Sequence, residues 1–124
     1  MAWLVDAMNV IGTRPDGWWR DRHAAMARLV DELERWVAVT GEDVTVVFER
    51  PPSPPITSPT VEIAHAPRAG RDAADDEIIR RLRADPHPER FRVVTSDRVL
   101  ADQARLLDAS VEPAEAFRRR LEES

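Results

Sequence analysis

The sequence has no cysteine among its 124 residues. That excludes a disulfide scaffold, a Cys-ligated zinc site and a Cys nucleophile. It also has no lysine, so all 18 basic residues are arginine, the side chain that reads phosphate and carboxylate in a bidentate way. No apolar run approaches the roughly 18 residues of a membrane span. Met1 to Asp6 has no basic start and meets a charge after a short apolar run, so it does not read as a signal peptide. These absences point to a cytoplasmic protein with no membrane partner. Hydrophobic residues make up 43% and charged residues 33% of the chain, the balance of a globular domain and not of a disordered one. Area scaling buries about two-thirds of the surface of a chain this long, enough for a core without a metal or disulfide staple. Residues 1–124 read as a single domain with no internal repeat. The net charge of −5 argues against nucleic acid when taken as a total. Such a total can also conceal clustered carboxylates that hold a cation.

Strand-like and helix-like segments alternate. Ala2 to Val5 predicts a buried strand ending at Asp6. Gly12 to Gly17 reads as a loop, and His23 to Val39 as an amphipathic helix closed by Gly41. Val44 to Phe48 predicts a second strand. Arg50 to Pro59 holds five of the ten prolines and reads as an extended surface loop. A short strand is expected over Val61 to Ala64, a helix over Asp72 to Arg83 and a strand over Phe91 to Thr95. A helix over Val99 to Leu107, a minimal strand over Ala109 to Val111 and a last helix from Pro113 complete the pattern. Strands followed by helices imply an α/β fold with a mainly parallel central sheet.

In such sheets ligands sit at the carboxyl ends of the strands. Asp6 directly follows the first strand, and Asp97 follows the fourth after Thr95-Ser96. The helix leading into the fourth strand opens at the same edge with Asp72, Asp75 and Asp76. Asp75 shares a helix face with Ile78, Ile79 and Leu82 and should point inward, with Asp76 about 100° away around the helix. Asp72 reads foremost as a helix cap, and Asp97 could equally cap the helix after it. As a set these acids repel one another unless a cation neutralises them. Carboxylates without cysteine or clustered histidine suit Mg²⁺ or Mn²⁺. Asn9 could orient Asp6 or touch substrate, and Ser96 could bind substrate or cap a helix. Trp18-Trp19 lie among Arg14, Arg20 and Arg22, a pattern in which aromatics stack bases and arginines hold phosphates. Arg68 and Arg71 precede the acidic cluster and could hold a phosphate. His23, His65 and His87 are scattered, and the chemistry needs none of them.

Three stretches carry a resemblance. Val5-Asp6-Ala7-Met8-Asn9-Val10-Ile11-Gly12 resembles the opening motif of NYN domains, Ala74-Asp75-Asp76-Glu77-Ile78-Ile79 their central motif, and Val93-Val94-Thr95-Ser96-Asp97 their third. The match runs in order along the chain and looks closest to the YacP-like branch. NYN domains belong to the PIN-like nuclease superfamily. The resemblance implies a three-layer α/β/α sandwich and a metal-dependent ribonuclease, with Asp6, Asp75 and Asp97 as catalytic and metal-site acids. Asp76, beside Asp75 on the helix, is a further candidate metal ligand that the resemblance does not itself supply. The resemblance also implies RNA as partner and products with 5′-phosphate and 3′-hydroxyl ends; a toxin, an RNA-processing enzyme and a nuclease with a ribosome as partner could all share these motifs. Asp102 could be a fourth acid of the wider PIN-like pattern. A non-catalytic RNA- or protein-binding module on the same fold is the alternative. A haloacid-dehalogenase-like phosphatase would need Asp-x-Asp after the first strand, where this chain has Asp6-x-x-Asn9.

Overall fold

The runs of β-branched and apolar residues all end up side by side in one sheet. The computed structural model describes residues 1–68, 70 and 72–123. Its strands are β1 (Ala2–Asp6), β2 (Asp43–Phe48), β3 (Glu62–His65), β4 (Phe91–Val94) and β5 (Ser110–Glu112). They lie in the order β3-β2-β1-β4-β5, and all four pairings are parallel. The helices are α1 (Ala7–Ile11), α2 (Arg22–Thr40), α3 (Ala73–Ala84), α4 (Arg98–Leu106) and α5 (Ala114–Glu123).

This order explains how the helices divide between two layers. The chain steps outward from β1 through β2 to β3, then crosses back to β4 on the other side of β1. Crossovers of one hand that step in opposite directions lay their helices on opposite faces. Accordingly α1, α2 and α5 pack on Trp3, Val5, Val44, Val46, Phe48 and Val94. The other layer, α3 and α4, packs on Leu4, Val47, Ala64 and Val93 through Ile78, Leu82, Leu100 and Ala104. With both faces covered, β1 is buried along its whole length, as strands of a parallel sheet are. In the first layer Trp3 meets Trp36 edge-on at 5.2 Å and Phe117 at 5.4 Å.

Two points differ from the sequence expectation. Ala7–Ile11 forms a helix, with Ala7, Val10 and Ile11 buried. Five residues are too few for helical periodicity to register, and packing stabilises the turn. β3 lies one residue later than expected, because its register pairs Glu62–His65 with Thr45–Phe48. The remaining boundaries shift by a residue or so, the usual scatter at element ends. Among the described residues no helix is long and apolar enough to cross a membrane.

Because β2 and β4 flank β1 on opposite sides, the connections leave β1 and β4 in opposite directions across the sheet, so the strand order reverses between them. In open α/β sheets that reversal leaves a crevice at the carboxyl ends.

Candidate active site

The pleat of β1 decides where Asp6 points. Trp3 and Val5 face the α2 layer, so Leu4 and Asp6 face the α3–α4 layer. Asp6 is only 4% exposed. Its Oδ2 accepts hydrogen bonds from Thr95 Oγ1 and Asn9 Nδ2, both at 3.0 Å. Burial pushes the Asp6 carboxyl up to about 6, and the charges of Asp97 and Glu49 push the same way. The hydrogen bonds from Thr95 and Asn9 oppose that rise.

The segment after β4 is tied to this carboxylate. Thr95 is buried and uses its hydroxyl twice: it donates to Asp6 and accepts the Asp97 N–H at 3.1 Å. Asn9 is likewise a bridge, since its Oδ1 accepts the Ser96 N–H at 3.0 Å. Asp97 Oδ1 accepts the Leu100 N–H at 2.9 Å and so caps α4. Ser96 Oγ accepts the N–H of Ala114, the first residue of α5, at 2.9 Å.

The third contribution comes from α3. Ile78, Ile79 and Leu82 are buried as the apolar face, and Asp75 stands half-buried at its start. Burial pushes the Asp75 carboxyl up to about 7, with the charges of Asp6, Asp97, Asp72 and Asp76 acting in the same direction. Asp76 is exposed, and Asp72 occupies the N-cap position without a side-chain capping bond. The next acid, Glu77, is buried but bound by Arg80 and Arg81, whose hydrogen bonds hold it below the usual carboxylate range. Three chain segments therefore bring Asp6, Asp75 and Asp97 within electrostatic reach of one another, and Glu77 is neutralised elsewhere.

The donor chemistry fits a hard divalent cation. All the acids offer carboxylate oxygens, and two of them are held against ionisation by burial and like charge. Among the described residues no group of three acidic or histidine side chains forms a ready-made metal cage. The arrangement is a set of neighbouring carboxylates whose like charges oppose ionisation.

Other expected residues fall differently. Arg14, read as a phosphate contact, is instead buried at 8% exposure, with Nη1 2.7 Å from Glu32 Oε1. Local sequence gave no sign of that partner on α2. Trp18 is half-buried against the core, with Arg22 over its ring at 5.4 Å. Trp19 is the exposed member of the pair. Asp102 is on the surface of α4, 3.6 Å from Arg105. His65 is exposed at the end of β3, and Arg68 is exposed. Arg71 lies outside the described residues. Two site residues were not singled out from sequence. Thr95 was legible only as part of a motif. Glu49 follows β2 as Asp6 ends β1, at the same edge, and that position was the available signal.

Beside the acids, on the α1–α2 side of the edge, lies a groove of about 510 Å³. Met8, Met26 and Phe48 form its apolar lining, with Arg22, His23, Glu49 and Arg50 around them. His23 Nε2 donates to the Pro54 carbonyl at 2.8 Å and ties the proline-rich segment to α2.

Fold and site together define a doubly wound parallel α/β protein with acids gathered at its topological switch point. No protein-family model and no curated protein sequence matches the chain. Among solved structures it is similar to Rae1 (YacP) from Bacillus subtilis, with a TM-score of 0.79 and 23% identity, over 99% of this chain and 74% of that one. A mutant of the same protein gives a TM-score of 0.80 and 23% identity, over 98% and 75%. The likeness shows that this chain has the YacP-like fold.

Proposed function

We propose that the protein is a metal-dependent ribonuclease that hydrolyses RNA phosphodiester bonds, acting as an endoribonuclease. The observation that carries this reading is the gathering of three acids at the switch point of the sheet: the Thr95 hydroxyl ties Asp97 to Asp6, and Asp75 at the start of α3 feels the charges of both. The resemblance of the three motifs to NYN domains supports it, and the YacP-like fold agrees with it. In this reading Asp6, Asp75 and Asp97 hold Mg²⁺ or Mn²⁺, and Asp76 contributes charge from the exposed side. The chemistry such an ion supplies is Lewis-acid activation of the phosphodiester and of the attacking water. Thr95 and Asn9 fix the rotamer of Asp6. Asp97 is aimed by its cap bond to α4 and by the Thr95 hydroxyl on its own N–H. Asn9 keeps a second amide hydrogen for the substrate.

One observation favours a second reading, a non-catalytic module that binds RNA or a protein: the described acids do not form a closed metal cage. A single experiment separates the two. The purified protein is incubated with labelled single-stranded and structured RNAs in Mn²⁺, Mg²⁺ or EDTA. The nuclease reading expects cleavage in either ion, none in EDTA, and none from Asp6→Asn or Asp75→Asn. RNA binding without cleavage in any ion would transfer the assignment to the non-catalytic module.

A further inference from the structure

The groove next to the acids has no role in the chemistry described above. Its volume of about 510 Å³ lies within the range of about 300–1,000 Å³ typical of small-molecule sites. Its lining combines two kinds of surface. Met8 and Met26, partly exposed above the buried Phe48, offer an apolar wall suited to the face of a planar ring, and methionine adapts readily to such rings. Arg22 and Arg50 add two guanidinium groups, against the one carboxylate of Glu49. Arg22 also lies over Trp18, so the cationic rim continues into an aromatic one.

The groove neighbours the acids at two points. Met8 precedes Asn9, which donates to Asp6. Glu49 lines the groove, and its charge acts on Asp6. The wall formed by Glu49 to Ser53 is kept in place by the His23 bond to Pro54. A polymer bound at the acids would therefore meet an apolar, arginine-rimmed pocket on one side. One unpaired nucleotide fits that chemistry: a base against the methionines and phosphates beside the arginines. A duplex keeps its bases stacked inside and could not supply that base.

We propose that this groove is a base-binding subsite, so that the protein takes RNA whose nucleotide next to the acidic site is single-stranded. The proposal rests on the ribonuclease reading of the neighbouring acids, and its test keeps the two apart. Binding is measured in EDTA, where no cleavage occurs, using fluorescein-labelled oligouridine and an RNA duplex of the same length. Met26→Trp fills the groove, and Arg22→Ala and Arg50→Ala remove the rim charges. None of these residues belongs to the acid cluster, and melting curves confirm that each variant is folded.

The expected result is tighter binding of oligouridine than of duplex, and about tenfold weaker oligouridine binding in Met26→Trp, the effect of losing one base contact. Each arginine variant should lower the slope of log affinity against log salt by about 0.7, the loss of one phosphate contact on a single strand. Duplex bound as tightly as oligouridine, or unchanged oligouridine affinity in all three variants, overturns the subsite even if the protein cleaves RNA. A protein that never cleaves, yet loses oligouridine in Met26→Trp, keeps the subsite and removes the ribonuclease reading.

Discussion

Thr95 and Asp6, 89 residues apart in sequence, are joined by a buried 3.0 Å hydrogen bond across the β1–β4 boundary. The same hydroxyl accepts the Asp97 N–H, so one side chain sets the relation between two of the three acids. Thr95→Val should remove both bonds while keeping the shape. Loss of one buried hydroxyl from a network is expected to cost about 1–2 kcal/mol in urea denaturation. Because the Thr95 bond holds the Asp6 pKa down, the Asp6 carboxyl should titrate above about 6 in the variant, as read by NMR. Thr95→Ser should restore both quantities.

The raised carboxyls predict an unusual pH dependence. Asp6 and Asp75 titrate at about 6 and about 7, against 3.8 for an ordinary aspartate. Between those values the folded chain keeps protons that the unfolded chain has released. Stability of the metal-free protein should therefore fall as pH rises from about 4 to about 7, and level off beyond. For buried Asp6 the loss is on the order of 3 kcal/mol. Half-exposed Asp75 adds to it in the same direction, reduced by solvent screening. Melting temperatures in EDTA should drop across this window, and Asp6→Asn or Asp75→Asn should flatten the drop. Added Mn²⁺ should stabilise the wild type most at the upper end, where the carboxylates are ionised. A wild-type melting temperature that climbs steadily through the window would contradict the whole arrangement.

Asp97 serves as helix cap and proposed metal ligand, and two substitutions separate these roles. Asparagine caps about as well as aspartate, so Asp97→Asn should leave stability within a few tenths of a kcal/mol. Asp97→Ala loses the bond to the Leu100 N–H and should cost about 1 kcal/mol. Both should lose RNA cleavage. Full activity in Asp97→Asn would reduce Asp97 to a cap.

Arg14 and Glu32 form a buried ion pair in which Arg14 Nε and Nη2 have no hydrogen-bond partner among the described residues. Glu32→Gln leaves that guanidinium without its countercharge and should destabilise the fold by about 3–5 kcal/mol. The double variant Arg14→Met/Glu32→Leu should recover most of that loss, because the desolvation penalty disappears with the charges. Chemical denaturation of the single and double variants checks both values.

The pattern of residues alone carried much of the architecture. Apolar runs separated by periodic helices implied a parallel sheet, and in such a sheet a residue that ends a strand is bound to stand at the carboxyl edge. That made Asp6 and Asp97 visible, and the i, i+3, i+4 face through Ile78, Ile79 and Leu82 pointed Asp75 inward. These features depend on backbone periodicity, which neighbouring residues determine. What only the tertiary structure decided depends on partners distant in the chain. Arg14 became a buried ion-pair member because α2 placed Glu32 beside it. Trp18 went toward the core and Trp19 toward solvent through the course of the chain before α2, which two adjacent identical residues cannot encode. Thr95 and Glu49 joined the site because the order β3-β2-β1-β4-β5 set the ends of β2 and β4 on either side of Asp6. Strand order is a matter of long-range packing, and no local spacing in the sequence contains it.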